Sequence, residues 1–220
     1  MEVRVLSSAP KRKANPWVGL FLLVHRSPDH GRPNMVLGWS SYRYTSPLNY
    51  LFYQAGWFAC VLGAAAGRPW SGFLFAAALV GAHLWLSANR PRDLQRIAIA
   101  VTVGSTVEII QIAAGTYQFT SGTVYAALPP PWLLTMWAQM ATTFDFSLRP
   151  IVRRPVASIV FGALGGPLAF LAGERLGAVT LQRPLAPGLI VLSVTWAAAM
   201  GVLAFAERWD LWGGEGRRRS

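Results

Sequence analysis

A single carboxylate sits inside a stretch that should otherwise run free of charge. Residues 95–115, QRIAIAVTVGSTVEIIQIAAG, are long enough to cross a hydrocarbon core at about 1.5 Å per residue. Their centre carries Glu108 and Gln111 with Gly104, Ser105 and Thr106. A carboxylate in an apolar span is costly unless it is protonated, paired or wet. Gly104, Glu108, Gln111 and Gly115 recur at helical spacing, so small and polar groups share one face. That face is expected to look into a bundle rather than at lipid. Two chemistries fit Glu108 and Gln111: a proton-carrying or headgroup-binding site in a wet cavity, or a carboxyl hydrogen-bonded to a neighbouring helix for structure alone.

Other polar groups in apolar surroundings are Gln54, His83, Trp137 and Asp145. His83 fits a structural hydrogen bond near a membrane interface, with acid–base or metal chemistry as the alternative. Asp145 and Arg149 stand four apart and could pair at a membrane surface. Trp137 is placed to line a cavity. A metal centre is not expected, because there is no HxxxH and no cysteine pair, only Cys60. Ser147 and Ser158 have no base at a recognisable spacing, which leaves a serine hydrolase without support. No phosphate-binding glycine loop and no cofactor motif is present.

The elements that hold these residues read as six apolar spans. They fall near Asn49–Ala66, Ser71–Ser87, residues 95–115, Pro131–Phe146, Pro155–Leu176 and Pro187–Ala206. The expected fold is all-α, a polytopic membrane bundle of about six transmembrane helices over residues 48–209. The fourth span is short and polar, so it is expected to be tilted, half-inserted or packed inside the others. In the fifth, Gly162, Gly166, Gly173 and Gly177 form a ridge of small residues that lets two backbones touch, within one chain or between two. Pro167 is expected to kink that span.

Composition agrees with a membrane domain: 53% of the 220 residues are hydrophobic and only 13% are charged. The net charge of +11 does not indicate nucleic acid, because the arginines lie between apolar spans rather than on one face. Arg90, Arg92 and Arg96 follow the second span and Arg149, Arg153 and Arg154 the fourth, whereas no arginine follows the third. The positive-inside bias then places both termini in the cytoplasm. Residues 1–47 are polar and basic, and they are expected to be disordered or to precede the true start, with Met35 as a candidate initiator. The tail, residues 210–220, ends on Arg217, Arg218 and Arg219, a juxtamembrane anchor at an anionic leaflet.

In order along the chain stand NYLFYQAGWFACVLGA, AHLWLSANRPRDL, the acidic third span ending in GTYQF, PPPWLLTMWAQMATTFDFSL and GALGGPLAFLAGERLGAV. Together they resemble a family of small bacterial inner-membrane proteins defined as a domain of unknown function (family twenty-eight seventy-eight), over about Asn49 to Trp209. The resemblance implies a compact multi-span domain whose genes sit beside those of membrane fatty-acid modification, such as cyclopropane-type synthases. The function expected on this footing is a lipid- or fatty-acyl-binding accessory protein. Glu108, Gln111 and Gln54 would contact the polar end of the lipid, and Trp137 would line the pocket. The alternatives are a small proton-coupled transporter or flippase that uses Glu108, and an intramembrane lipid-modifying enzyme that uses His83 with Asp145 or Glu108.

Overall fold

The structure is a computed structural model that describes residues 39–208, with side chains from residue 46. Residues 1–38 of the leader, with the candidate start Met35, and the arginine tail lie outside the described residues, whereas residues 39–47 belong to the first helix. The compact unit that begins at Thr45 carries the site and is the subject below.

Seven helices and one short ladder make up the described chain: α1 (Trp39–Ala65), α2 (Pro69–Leu86), α3 (Arg90–Ala113), β1 (Tyr117–Phe119), α4 (Pro131–Ala141), α5 (Arg149–Val152), α6 (Pro155–Arg175), β2 (Val179–Leu181) and α7 (Leu185–Arg208). Starts and stops follow local chemistry. Pro69, Pro91, Pro131 and Pro155 occupy first turns, where a missing N–H leaves no partner wanting. The Asn89 side chain caps α3 by accepting from the Arg92 N–H at 3.3 Å. At the far ends of α3 and α6, Gly115 (φ 62°) and Gly177 (φ 88°) take the left-handed conformation that ends a helix without a Cβ penalty.

The ladder was not expected. β1 and β2 pair antiparallel, Tyr117 with Leu181 and Phe119 with Val179. They define one end of the bundle, and Arg96 marks the other. The Ser121 hydroxyl donates to the Ala64 carbonyl, which puts the top of α1 at the ladder end. Asn49 donates to the Thr142 carbonyl nearer the Arg96 end. α3 runs from Arg96 up to Gln111, and α7 runs antiparallel to it, from Thr195 beside Gln111 to Glu207 beside Arg96. The Glu174 carboxylate accepts from the Leu181 N–H, which brings α6 to the ladder end.

Among the described residues, four helices are long and apolar enough to cross a membrane: α2, α3, α6 and α7. They mark a membrane protein of all-α fold, and four helices of that length stand where about six were expected. α1 is long, but Asn49, Tyr50, Tyr53, Gln54 and Trp57 dilute its apolar half. α4 has only 11 residues, which span roughly 16 Å against a hydrocarbon core of about 30 Å. Eight of its residues are buried, from Trp132 and Leu133 through Trp137 to Ala141. Behind it, residues 142–148 turn inside the protein. The Thr142 and Thr143 hydroxyls donate to the Gln139 and Met140 carbonyls, so irregular backbone at this depth stays satisfied. This segment carries the chain from the ladder end, where Trp132 donates to the Ser121 carbonyl, to the Arg96 end, where Asp145 meets Arg96.

The expected ridge on α6 divides in two. A Cβ on Gly162 or Gly166 would overlap the backbone or ring of Trp196 in α7, so these two glycines permit close helix approach within the chain. A Cβ on Gly173 would meet only Val179 at an ordinary 3.5 Å, and Gly177 is the helix cap. α6 continues through Pro167.

Candidate functional site

Glu108 is completely buried on the inner face of α3, with Gly104, Val107 and Gln111. Both of its oxygens are taken. The Trp137 indole N–H of α4 donates to Oε1 at 3.1 Å, and the Tyr117 hydroxyl of β1 donates to Oε2. Burial and the neighbouring carboxyl hold the Tyr117 phenol well above its ordinary range, so it stays a donor. Gly104 lies under the Trp137 ring, and a Cβ there would overlap the indole. One helical turn beyond Glu108, the Gln111 amide donates to the Thr195 hydroxyl at 2.5 Å, which in turn donates to the Val191 carbonyl at 2.8 Å. The Gln111 carbonyl oxygen and the Trp196 N–H are buried with no partner.

On the other side of Trp137 lies a cleft of about 250 Å³. Its walls are α1 and α6, and its floor is α4. Tyr53, Gln54 and Trp57 line one wall, Phe161, Gly165 and Ala169 the other, and Met136 and Trp137 the floor, with Trp196 of α7 beyond. The lining is overwhelmingly apolar. From Phe161 to Gly173 the α6 wall is about 18 Å long at 1.5 Å per residue. The polar groups gather toward the Arg96 end: Tyr50, Gln54, Thr143 and Ser147. Gln54 donates to the Tyr50 hydroxyl at 3.0 Å, and Ser147 donates to Asn49 Oδ1 at 2.8 Å. Trp132, Ala178 and Val179 close the ladder end.

The expected site residues therefore separate into three places. Gln54 and Trp137 line the cleft. Glu108 and Gln111 stand behind Trp137, and Glu108 meets the cleft lining through that indole and through Tyr117, which stacks on the Phe170 ring. His83 and Asp145 belong to a third group at the Arg96 end. His83 Nε2 lies 3.2 Å from Asp93, which also accepts from the Ser87 hydroxyl at 2.6 Å. Arg96, 2% exposed, bonds Asp145 through both terminal nitrogens, one of them at 3.0 Å, and also Glu207 at 2.8 Å and Asp93 at 3.5 Å. Asp145 is thus bonded to Arg96, a partner the sequence did not suggest. Along α3, Asp93 and Glu108 stand about 22 Å apart at 1.5 Å per residue, so His83 and Glu108 do not form one site.

The family model described as a protein of unknown function (DUF2878) matches residues 46–202. The chain belongs to this family. No curated protein and no solved structure matches it at a significant level. The family match covers every residue of the cleft and of the Glu108 cluster, along with Arg96, Asp93 and Asp145, and stops short of Glu207.

Sequence reasoning missed Tyr117, Arg96, Asp93 and Glu207. Tyr117 follows a span in a stretch with no periodicity. Arg96 reads as one more loop arginine until its partners, 49 and 111 residues away, are brought to it. A signal was present: Arg96 falls a full turn and a half inside α3, too deep for a residue that only flanks a membrane.

Proposed function

We propose that this protein is an inner-membrane lipid-binding protein that holds a single acyl chain in the cleft between α1 and α6. The observation that carries the reading is the cleft itself. It is long, with an α6 wall from Phe161 to Gly173, apolar along its floor and walls, and its polar side chains gather toward one end. Such a shape suits a hydrocarbon chain with its polar end beside Gln54, Tyr50 and Ser147. Small residues on α6, Gly165 and Ala169, leave the room, and rigid aromatic rings on α1 and α4 shape it. Glu108 supports the floor by fixing the Trp137 indole.

In this reading the chain crosses the membrane six times, with α1 and the buried α4 segment as the two irregular crossings. The Arg96 end faces the cytoplasm, because Arg90, Arg92, Arg149, Arg153, Arg154 and Arg208 gather there. The protein serves as an accessory to enzymes that modify membrane fatty acids, presenting or sequestering an acyl chain beside them. The proton-coupled alternative has less support, since both Glu108 oxygens are occupied and Glu108 does not line the cleft. An enzyme that uses His83 with Glu108 has none in the geometry.

The test is a mass-spectrometric lipid profile of three strains: one lacking the gene, one with it restored, and one restored with Gly165→Leu. Gly165 has room for a Cβ, which would meet only the Phe161 ring at 4.0 Å, so leucine there fills the cleft without disturbing helix packing. A fatty-acyl species lost in the deletion, regained with the wild-type gene and not regained with Gly165→Leu supports the reading. An acyl profile unchanged across the three strains overturns the accessory role.

A further inference from the structure

We propose that the lipid held in the cleft is anionic, with its phosphate bound at the Arg96 end by Arg153 and Arg154. The proposal rests on the acyl-chain reading and adds the headgroup to it. Its ground is the unequal character of the two ends of the cleft. At one end Ser147 and Leu148 line the cleft, and the chain passes directly through α5 to Arg153 and Arg154 before entering the α6 wall at Pro155. Both arginines are exposed. Phe161, the α6 lining residue nearest that end, follows Arg154 by seven positions, about 10 Å along a helix. No Asp or Glu occurs between Asp145 and Glu174, and Asp145 is engaged by Arg96. The connector between floor and wall is therefore cationic without a carboxylate of its own.

The ladder end is the opposite. Its lining is Trp132, Ala178 and Val179, with none of the polar groups of the other end. Of the arginines there, Arg183 is bonded to Glu174 at 3.1 Å, and the exposed Arg175 follows that same carboxylate in the chain, so a carboxylate accompanies the charge. A lipid placed with its chain along the floor puts its ester region beside Gln54, Tyr50 and Ser147 and its phosphate at the arginine connector. Guanidinium forks match phosphate oxygens in pairs. A phosphatidylcholine headgroup cancels its own phosphate charge with an ammonium, whereas a phosphatidylglycerol headgroup remains anionic. The two arginines therefore favour the second.

Each arginine beside a surface anion is worth about fivefold in affinity, so the pair predicts a preference of about 25-fold at low salt. The experiment equilibrates the purified full-length protein with phosphatidylglycerol and phosphatidylcholine of identical acyl chains, and counts retained lipid by native mass spectrometry. Wild type is expected to retain phosphatidylglycerol in large excess, and the excess should shrink with added salt. Arg153→Gln with Arg154→Gln should retain the two lipids equally, at the phosphatidylcholine level. Gly165→Leu, with Ala169→Leu as a second cleft-filling change, should retain neither. If wild type already retains both lipids equally while the cleft-filling variants lose both, the headgroup assignment fails and the acyl cleft stands. If the cleft-filling variants retain phosphatidylglycerol as wild type does, the lipid is bound elsewhere and both readings fail.

Discussion

Removing the Glu108 carboxyl should destabilise the bundle by leaving two donors buried with nothing to accept from them. In Glu108→Ala, the Trp137 N–H and the Tyr117 hydroxyl lose their acceptor, and both residues are under 5% exposed. Each orphaned group costs about 1–3 kcal/mol, so the substitution should cost about 2–6 kcal/mol before any cavity term. Tyr117→Phe removes one donor and leaves Glu108 one partner short, for about 1–2 kcal/mol. In the double variant one of the orphans no longer exists, so the two costs should fall short of additivity by about 1–3 kcal/mol. The assay is SDS-induced unfolding of the purified protein, followed by helical circular dichroism and analysed as a double-mutant cycle. Glu108→Gln should cost less than Glu108→Ala, because its carbonyl keeps one donor satisfied. A Glu108→Ala cost under about 0.5 kcal/mol with no coupling to Tyr117 would refute the reasoning. It would mean that the carboxyl is hydrated and free to carry a proton.

Four further outcomes follow from the packing. Gly166→Ala places a methyl into the Trp196 ring and Gly104→Ala one into the Trp137 ring, so each should cost about 1–3 kcal/mol in the same unfolding assay. Gly165→Ala, on the same helix but open to the cleft, should be neutral or stabilising by up to about 1 kcal/mol. Arg96→Gln leaves the carboxylates of Glu207, Asp145 and Asp93 without their shared guanidinium, and should cost about 3–5 kcal/mol as a broken buried ion network. Cys60 is fully buried, so a maleimide should label it in SDS-unfolded protein and leave it unlabelled in the folded membrane form, as read by mass shift.

The inward face of α3 was readable from the sequence, since Gly104, Glu108 and Gln111 repeat at helical spacing and all three are buried. The close approach of Gly162 and Gly166 was readable too, but not its partner. Only the structure shows that the ridge is used within the chain, against Trp196. Other features leave no local trace. β1 and β2 have three residues each, too few for an alternating pattern to emerge. The Arg96 network joins α3 to the α4–α5 turn and to α7 through contacts 49 and 111 residues apart, which periodicity cannot see. The cleft is a space between helices. Gly165 and Ala169 make it by being small, and in sequence they read as packing residues. The polar pocket expected around Glu108 gave way to an apolar cleft because Trp137 turns its N–H to the carboxyl and its ring to the opening.

The central claim is that an acyl chain lies along α4 between α1 and α6. The most direct test uses a phospholipid with a photoreactive diazirine near the end of one acyl chain, incorporated into membranes that contain the protein and activated by light. The crosslinked residues are then mapped by peptide mass spectrometry. The account predicts crosslinks concentrated on the cleft floor and on its inner wall at Met136, Phe161 and Ala169, and abolished by Gly165→Leu. Crosslinks spread over the outward residues Leu74, Leu164, Leu168 and Ile190, and unaffected by that substitution, would show a lipid that only surrounds the protein and would contradict the account.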